Sequence, residues 1–248
     1  MPRSAREKSE NSTYHIMLRG INQQLIFEEE EDYIKFLEIL KHYQAVSEYK
    51  IYAYCLMGNH VHLLMEFFNE DIGQVFKRIG AKYVYWYNTK YGRRGHLFQD
   101  RLKSEPVDDD VYFLTVIRYI HQNPIKAGLR KKVDGYKYSS FQEYKNKADI
   151  VDVNYVYEFI PKNKFEEYNN EIINADCLDV EEKTINRVTD EEAKRIMKHY
   201  SKCETVTDFQ ALNIKERDKY IKIFKEKGIS IRQISRLIGV SYYIVQKL

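Results

Sequence analysis

A ferredoxin-like α+β fold, an antiparallel sheet carrying helices, is predicted for the first half of this chain, followed by a helical region that ends in a helix-turn-helix. Three observations predict it. Between residues 14 and 105, apolar patterns of period two and period 3.6 alternate in the order β-α-β-β-α-β, with one more helix behind them. The dipeptide Gly58-Asn59 separates the second and third strand patterns as a two-residue hairpin turn would. At the far end, SIRQISRLIGVSYYIVQKL has the helix–glycine–helix spacing of a DNA-reading motif.

Taken in order, residues 14–20 (YHIMLRG) read as a strand. In residues 30–49, Tyr33, Phe36, Leu37, Leu40 and Tyr43 recur at three- and four-residue steps, which predicts a helix with one buried face. Residues 51–57 and 60–67 form the hairpin strands, and residues 72–91 a second helix, with Ile72, Val75, Phe76, Ile79 and Tyr83 on one side. Residues 97–105 are expected as the fourth strand. Asp108, Asp109 and Asp110 then supply the cap and first-turn acids of a third helix, expected to run to about Gln122 and to stop at Asn123-Pro124. The helices are expected on one face of the sheet. Towards the end, Ile221 and Phe224 mark a helix that Gly228 breaks. Two shorter helices meet at Gly239, with Ile234, Leu237, Val240, Ile244 and Val245 as their core. The expected organisation is therefore a domain at 1–148, an acidic, partly helical connection at 149–205 and a helix-turn-helix region at 206–248.

Composition narrows the function. With 44% hydrophobic and 31% charged residues the chain can bury a real core and is not a disordered polyelectrolyte. The net charge is only +3 but unevenly placed. Residues 72–106 hold eight Lys/Arg against two acids, residues 215–248 nine against three, and residues 152–182 nine acids against Lys162 and Lys164 alone. Two basic segments around an acidic one suit two polyanion-facing surfaces, as well as plain solvated helix faces. Cys55, Cys177 and Cys203 have no CxxC spacing, which argues against a disulfide framework or a cysteine zinc site. No apolar run approaches a membrane span and the N-terminus lacks an apolar signal core, so a cytoplasmic, nucleoid-associated protein without membrane contact is expected.

Chemistry concentrates at NHVHLL. On a strand, His60 and His62 share one face while Val61, Leu63 and Met65 take the other, so two imidazoles project together as a metal would require. In RYIHQN, Tyr119 and Asn123 lie four residues apart on one helix face, so an amide oxygen and a phenol can reach the same phosphate. The residues alone leave open a plain polar strand face and a merely packed tyrosine.

The runs YHIMLRG, AYCLMGNHVHLL, GHLFQDRLKS and RYIHQNPIKAGL resemble the REP-associated tyrosine transposases, single-tyrosine members of the HUH single-strand endonuclease superfamily. The resemblance spans residues 14–144 and departs at Gly58, where relatives commonly carry proline. It implies the ferredoxin-like nuclease fold, Tyr119 as nucleophile, and His60, His62 and Asn123 as metal ligands. Arg19, Arg101 and Lys103 lie in family-typical segments that touch DNA. The basic excess adds Arg93 and Arg94, and the C-terminal motif adds Arg232, Arg236, Ser241 and Tyr242 as DNA contacts. Imidazole ligands alone would suit zinc, whereas an open, oxygen-completed site and the resemblance point to Mg²⁺ or Mn²⁺. The expected activity is transposase-like nicking and rejoining of single-stranded or hairpin DNA through a 5′-phosphotyrosine, with a homodimer left open. The alternative is a sequence-specific DNA-binding regulator, derived from a transposase, that has lost nicking.

Overall fold

Every strand of the sheet runs antiparallel to its neighbours, in the order β2-β3-β1-β4. The computed structural model describes residues 7–99, 102–172, 177–179, 190–203 and 205–248. These fall into two units, Met1–Val180 and Glu181–Leu248.

In the first unit, β1 (Thr13–Arg19), α1 (Glu30–Ser47), β2 (Tyr49–Met57), β3 (His60–Phe67), α2 (Ile72–Lys90) and β4 (Lys103–Pro106) follow the predicted split βαβ order. The Gly58-Asn59 turn closes the β2–β3 hairpin, which aligns Met57 with His60 and Cys55 with His62. Across β1, Arg19 pairs with His60, Met17 with His62 and His15 with Leu64. Directly paired residues share a face. His15, Met17, Arg19, His60 and His62 therefore lie on one side of the sheet, and Tyr14, Ile16, Leu18, Val61, Leu63 and Phe67 on the other.

The second side packs against α2: Phe67 meets Tyr14 at 6.3 Å and Phe76 at 6.4 Å between ring centroids. The first side packs against α3 (Asp110–Lys126), where Phe113 meets Tyr52 at 5.0 Å and Tyr119 meets His62 at 5.8 Å. The expectation that all helices share one face is thus corrected. The histidine face of the sheet is itself covered, so its imidazoles work in a buried setting rather than in solvent.

Two boundaries also differ from the expectation. Helix α3 does not stop at Asn123-Pro124 but carries Pro124 inside it and ends at Lys126. The proline lacks only its own N–H, and Leu129 N and Arg130 N return to its carbonyl just beyond the helix end. β4 is four residues long; the preceding segment touches β1 through a single Gly20–Phe98 bridge, with Ile21 N donating to Leu97 O and Gln99 N to Arg19 O. Its hydrogen bonds run to the strand's end without extending the ladder.

The N-terminus of α1 is fastened to the end of α2. Asp32, fully buried, accepts from Glu28 N and Glu29 N and pairs with Lys90 at 2.8 Å and the Tyr91 hydroxyl at 2.8 Å. A buried carboxylate is tolerable when it is satisfied in this way. Helices α4 (Phe141–Lys145), α5 (Val153–Phe159) and α6 (Lys162–Asn170) add Phe141, Tyr144, Val156 and Phe165 to the same core. The open edge of β2 is covered by residues 138–140, through Leu56 N to Tyr138 O and Ser140 N to Tyr54 O.

Gly20 closes β1 against the hairpin, its N–H donating to Asn59 O at 2.8 Å. A Cβ there would lie 2.2 Å from the backbone oxygen of Gln24. Gly20→Ala is expected to lower stability by about 1–3 kcal/mol, the usual cost of overpacking. A urea titration read by circular dichroism checks it, and an unchanged midpoint would contradict this close approach.

The second unit consists, in its described part, of α7 (Asp190–Ser201), α8 (Val206–Ala211), α9 (Ile214–Glu226), α10 (Ile231–Ile238) and α11 (Tyr242–Lys247). Ala193, Met197, Phe209, Ile221, Phe224, Ile229, Ile234, Ile238 and Val245 form its core. The stretch 149–205 thus contributes α5 and α6 to the first core and α7 to the second. Ser230 caps α10 through Gln233 N, and Gly239 ends it at φ 66°, a left-handed value that favours glycine. The helical phase differs by one residue from that expected: Ile238 is buried, Leu237 and Val240 are only partly so, and Ile244 is exposed.

Candidate active site

Strand β3 delivers His60 and His62 onto the face that α3 covers, and α3 delivers Tyr119 and Asn123 onto them. The rings of His60 and His62 stand 5.1 Å apart, and Tyr119 lies 5.8 Å from His62. Asn123 donates from Nδ2 to the Tyr119 carbonyl at 3.1 Å, which leaves its amide oxygen uncommitted to that bond, and its side chain bears on His60. The four residues that the sequence singled out for chemistry are therefore together.

Both imidazoles turn Nδ1 towards protein. His60 Nδ1 meets Asn59 Oδ1 at 2.7 Å, and His62 Nδ1 meets His15 Nε2 at 3.0 Å. The Nε2 of His62 is buried and has no hydrogen-bond partner among the described residues. A buried nitrogen without a partner is costly unless something else binds it. Burial, before any neighbour, depresses both imidazoles: His60 falls to about 4, and His62 lies well below its usual value. At neutral pH each is a neutral ring with a lone pair to offer. Two imidazoles and an amide oxygen fit a cation. Among the described residues no three His, Cys, Asp or Glu side chains group as metal ligands.

Tyr119 is 1% exposed. Burial first, and then the Asp179 carboxyl, push its phenol well above the ordinary range. Lys126, one helical turn past Asn123, places its ammonium 3.7 Å from the centre of the Tyr119 ring. Burial lowers the Lys126 pKa, while Asp179 acts to raise it. The face of an aromatic ring attracts a cation, and a cation in turn favours negative charge on the phenol.

Four residues here could not be found from the sequence pattern. His15 and Glu105 take their places only from the strand register, which sets His15 opposite both Leu64 and Glu105. Lys126 lies seven residues after Tyr119, on the same helix face, and is hidden when α3 is ended at Pro124. Asp179 arrives from a segment remote in sequence, and no local pattern signals it.

The expected DNA contacts divide. Arg19 ends β1 beside His60 and bears electrostatically on it, and Lys103 is exposed on β4. Arg94 is exposed too, but Arg93 is engaged, donating to Gln24 Oε1 at 2.9 Å and lying 5.5 Å over the Tyr87 ring. Arg101 lies outside the described residues. In the second unit Arg232, Ser241 and Tyr242 are exposed, and Arg236 pairs with Asp190 at 2.6 Å.

Part of the chain has the fold of a solved protein, a REP-associated tyrosine transposase bound to a REP hairpin. That structure aligns with TM-score 0.51 and 17% identity over 61% of this chain and 94% of its own. A Deinococcus radiodurans protein described as a transposase aligns with TM-score 0.35 and 15% identity, over 49% of this chain and 97% of that one. Residues 8–123 match the family model described as "Transposase IS200 like", so this stretch of the chain is similar to that family of transposases. No curated protein matches the chain. Among the described residues, no helix is long and apolar enough to cross a membrane.

Proposed function

We propose that this chain nicks and rejoins single-stranded or hairpin DNA, with Tyr119 as the nucleophile. The observation that carries the reading is the convergence of Tyr119 with His60, His62 and Asn123 around the Nε2 of His62, a buried nitrogen without a hydrogen-bond partner among the described residues. The Tyr119 oxygen attacks the scissile phosphorus, the P–O3′ bond breaks, and the phenol proton ends on the departing 3′ oxygen. The products are a 5′-phosphotyrosine and a free 3′-hydroxyl. Because the ester conserves the bond energy, a 3′-hydroxyl can reverse the step and join strands without a nucleotide cofactor.

His60, His62 and Asn123 are the residues that would hold a divalent cation, Mg²⁺ or Mn²⁺, whose chemistry is to neutralise and orient the phosphate. Arg19 and Lys103 are placed to grip the backbone beside it. The buried phenol stays protonated until DNA arrives, and Lys126 then favours the growing negative charge on Tyr119. The second unit supports a DNA-binding role: α10, the Gly239 turn and α11 have helix-turn-helix order, with Ser241 and Tyr242 at the exposed start of the second helix. The intact site gives no support to a regulator that has lost nicking.

Incubation with single-stranded oligonucleotides from the chain's genomic flanks, in Mg²⁺ or Mn²⁺, is expected to give a covalent protein–DNA adduct on a denaturing gel. Replacing His60 and His62 by alanine together is expected to abolish it while the fold survives. Wild-type nicking by that double variant would sink the metal assignment.

A further inference from the structure

We propose that His15 is a positioning residue which, with Glu105 behind it, fixes the tautomer of His62 so that the Nε2 lone pair of His62 faces the site. The inference rests on the reading of His62 as a ligand and deepens it.

The three groups form a line. His62 Nδ1 lies 3.0 Å from His15 Nε2, both rings being fully buried. The other nitrogen of His15, Nδ1, lies 3.7 Å from Glu105 Oε2. That carboxyl is held in turn by Leu178 N at 3.0 Å. Neutral imidazole carries one proton, so the line has only two proton arrangements. In one, His15 Nδ1–H points at the carboxylate, His15 Nε2 accepts from His62 Nδ1–H, and His62 Nε2 carries a lone pair. In the other, both protons shift, His15 turns a lone pair on Nδ1 towards the Glu105 carboxylate, and His62 Nε2 carries a hydrogen that would block a ligand bond. A distance of 3.7 Å is longer than a hydrogen bond. It is still short enough, in a buried setting, for a negative charge to favour the N–H that points at it over a lone pair that repels it. The carboxylate therefore selects the first arrangement and acts on His62 through an intervening ring. Ligating histidines commonly donate their second nitrogen to a carboxylate or carbonyl. Here a second histidine transmits that effect from the β1–β4 ladder to β3. Histidine at position 15 suits this relay because its two nitrogens lie on opposite sides of a rigid ring and can face Glu105 and His62 at once.

The experiment uses the full chain with ¹⁵N-labelled histidine, free of metal. Long-range ¹⁵N–¹H spectra are expected to show His62 protonated on Nδ1 with a lone pair on Nε2, and Glu105→Gln to give a mixture of tautomers. Mn²⁺ binding is then read by electron paramagnetic resonance. His15→Leu is expected to weaken it about 10- to 100-fold, the usual loss for a removed partner of a ligand. His15→Gln should recover most of the loss, because its amide oxygen can accept from His62 Nδ1–H. A wild-type His62 protonated on Nε2 overturns the proposal, as does a folded His15→Leu that binds Mn²⁺ as tightly as wild type. If His15→Leu does not fold, Glu105→Gln, at a side chain 34% exposed, decides by the same spectra. Wild-type protein that binds no Mn²⁺ would overturn the metal reading, while the spectra would still decide the role of His15.

Discussion

Tyr119→Phe is expected to eliminate the covalent adduct with DNA while leaving the fold and DNA binding nearly intact. The substitution removes one oxygen from a buried ring, and its cost in stability should stay within about 1 kcal/mol. The choice of tyrosine is a real one, since Tyr112 lies seven residues earlier on the same helix. Three features separate the two. Tyr119 has the amide of Asn123 one turn away and the ammonium of Lys126 against its ring. Its ring lies 5.8 Å from both His15 and His62. Tyr112 sits instead with Glu105 and Cys177, and with the acids Asp108, Asp109 and Asp110 at the start of its helix, where a phosphate would be repelled. Tyr112→Phe should therefore cost little activity. A phosphotyrosine bond formed by the Tyr119→Phe protein, or lost only in the Tyr112→Phe protein, would remove the assignment.

The parts of the fold that were legible in the sequence were those set by local periodicity. The alternating strand β3 and the three- and four-residue steps of α1 and α2 each declared their own buried face, and Gly58-Asn59 declared the turn between two strands. What pairs with what was not local. Nothing in GHLFQDRLKS shows that only its end joins the ladder as β4. Nothing in the third helix shows that it lies on the opposite side of the sheet from α2. Pro124 misled for a physical reason: a proline near a helix end removes a single hydrogen bond, which the chain here replaces with contacts beyond the helix.

The site divides along the same line. His60 with His62, and Tyr119 with Asn123, are pairs within one element, so strand and helix spacing were enough to see them. His15 and Glu105 belong to the site only through pairing across three strands, and Asp179 only through a remote segment. Such residues carry no local pattern. Arg93 shows the converse, a basic residue in a basic segment whose guanidinium is already engaged by Gln24 and Tyr87. Arg236, paired with Asp190, is a second case.

Acid is expected to destabilise the first unit well before its carboxylates protonate, and His121 is the residue most directly responsible. It is fully buried on α3, among the rings of Phe141, Tyr144 and Phe165. Its Nδ1 meets Asn169 Oδ1 at 2.7 Å and its Nε2 meets Ser140 Oγ at 2.8 Å. Asn169 uses its own amide nitrogen on Phe165 O, so its oxygen must accept and His121 Nδ1 must donate. Ser140 Oγ already accepts from Tyr54 N, so its hydrogen is free for His121 Nε2. Every group is satisfied by the neutral ring, and a second proton would turn the Ser140 hydroxyl away and place a charge among buried aromatic rings. Burial accordingly brings the folded pKa down from 6.5 to about 4. With the folded value below the unfolded one, the stabilisation is fully present above pH 6.5. It is lost as the pH falls from there to about 4, because only the unfolded chain takes up the proton in that window. At about 1.4 kcal/mol for each tenfold change in proton affinity, this one residue accounts for roughly 3 kcal/mol. His15, His60 and His62, all depressed by burial, add to the loss in the same direction. The carboxylates Asp32 and Glu105, held below their usual values, add theirs only at lower pH still. Urea midpoints measured at steps from pH 7 to 4 should therefore fall steadily through the histidine window, and less steeply in His121→Gln, which has nothing to protonate. A midpoint that stays level between pH 6.5 and 4.5 in the wild-type protein would refute the account of His121 as a neutral, fully satisfied core histidine.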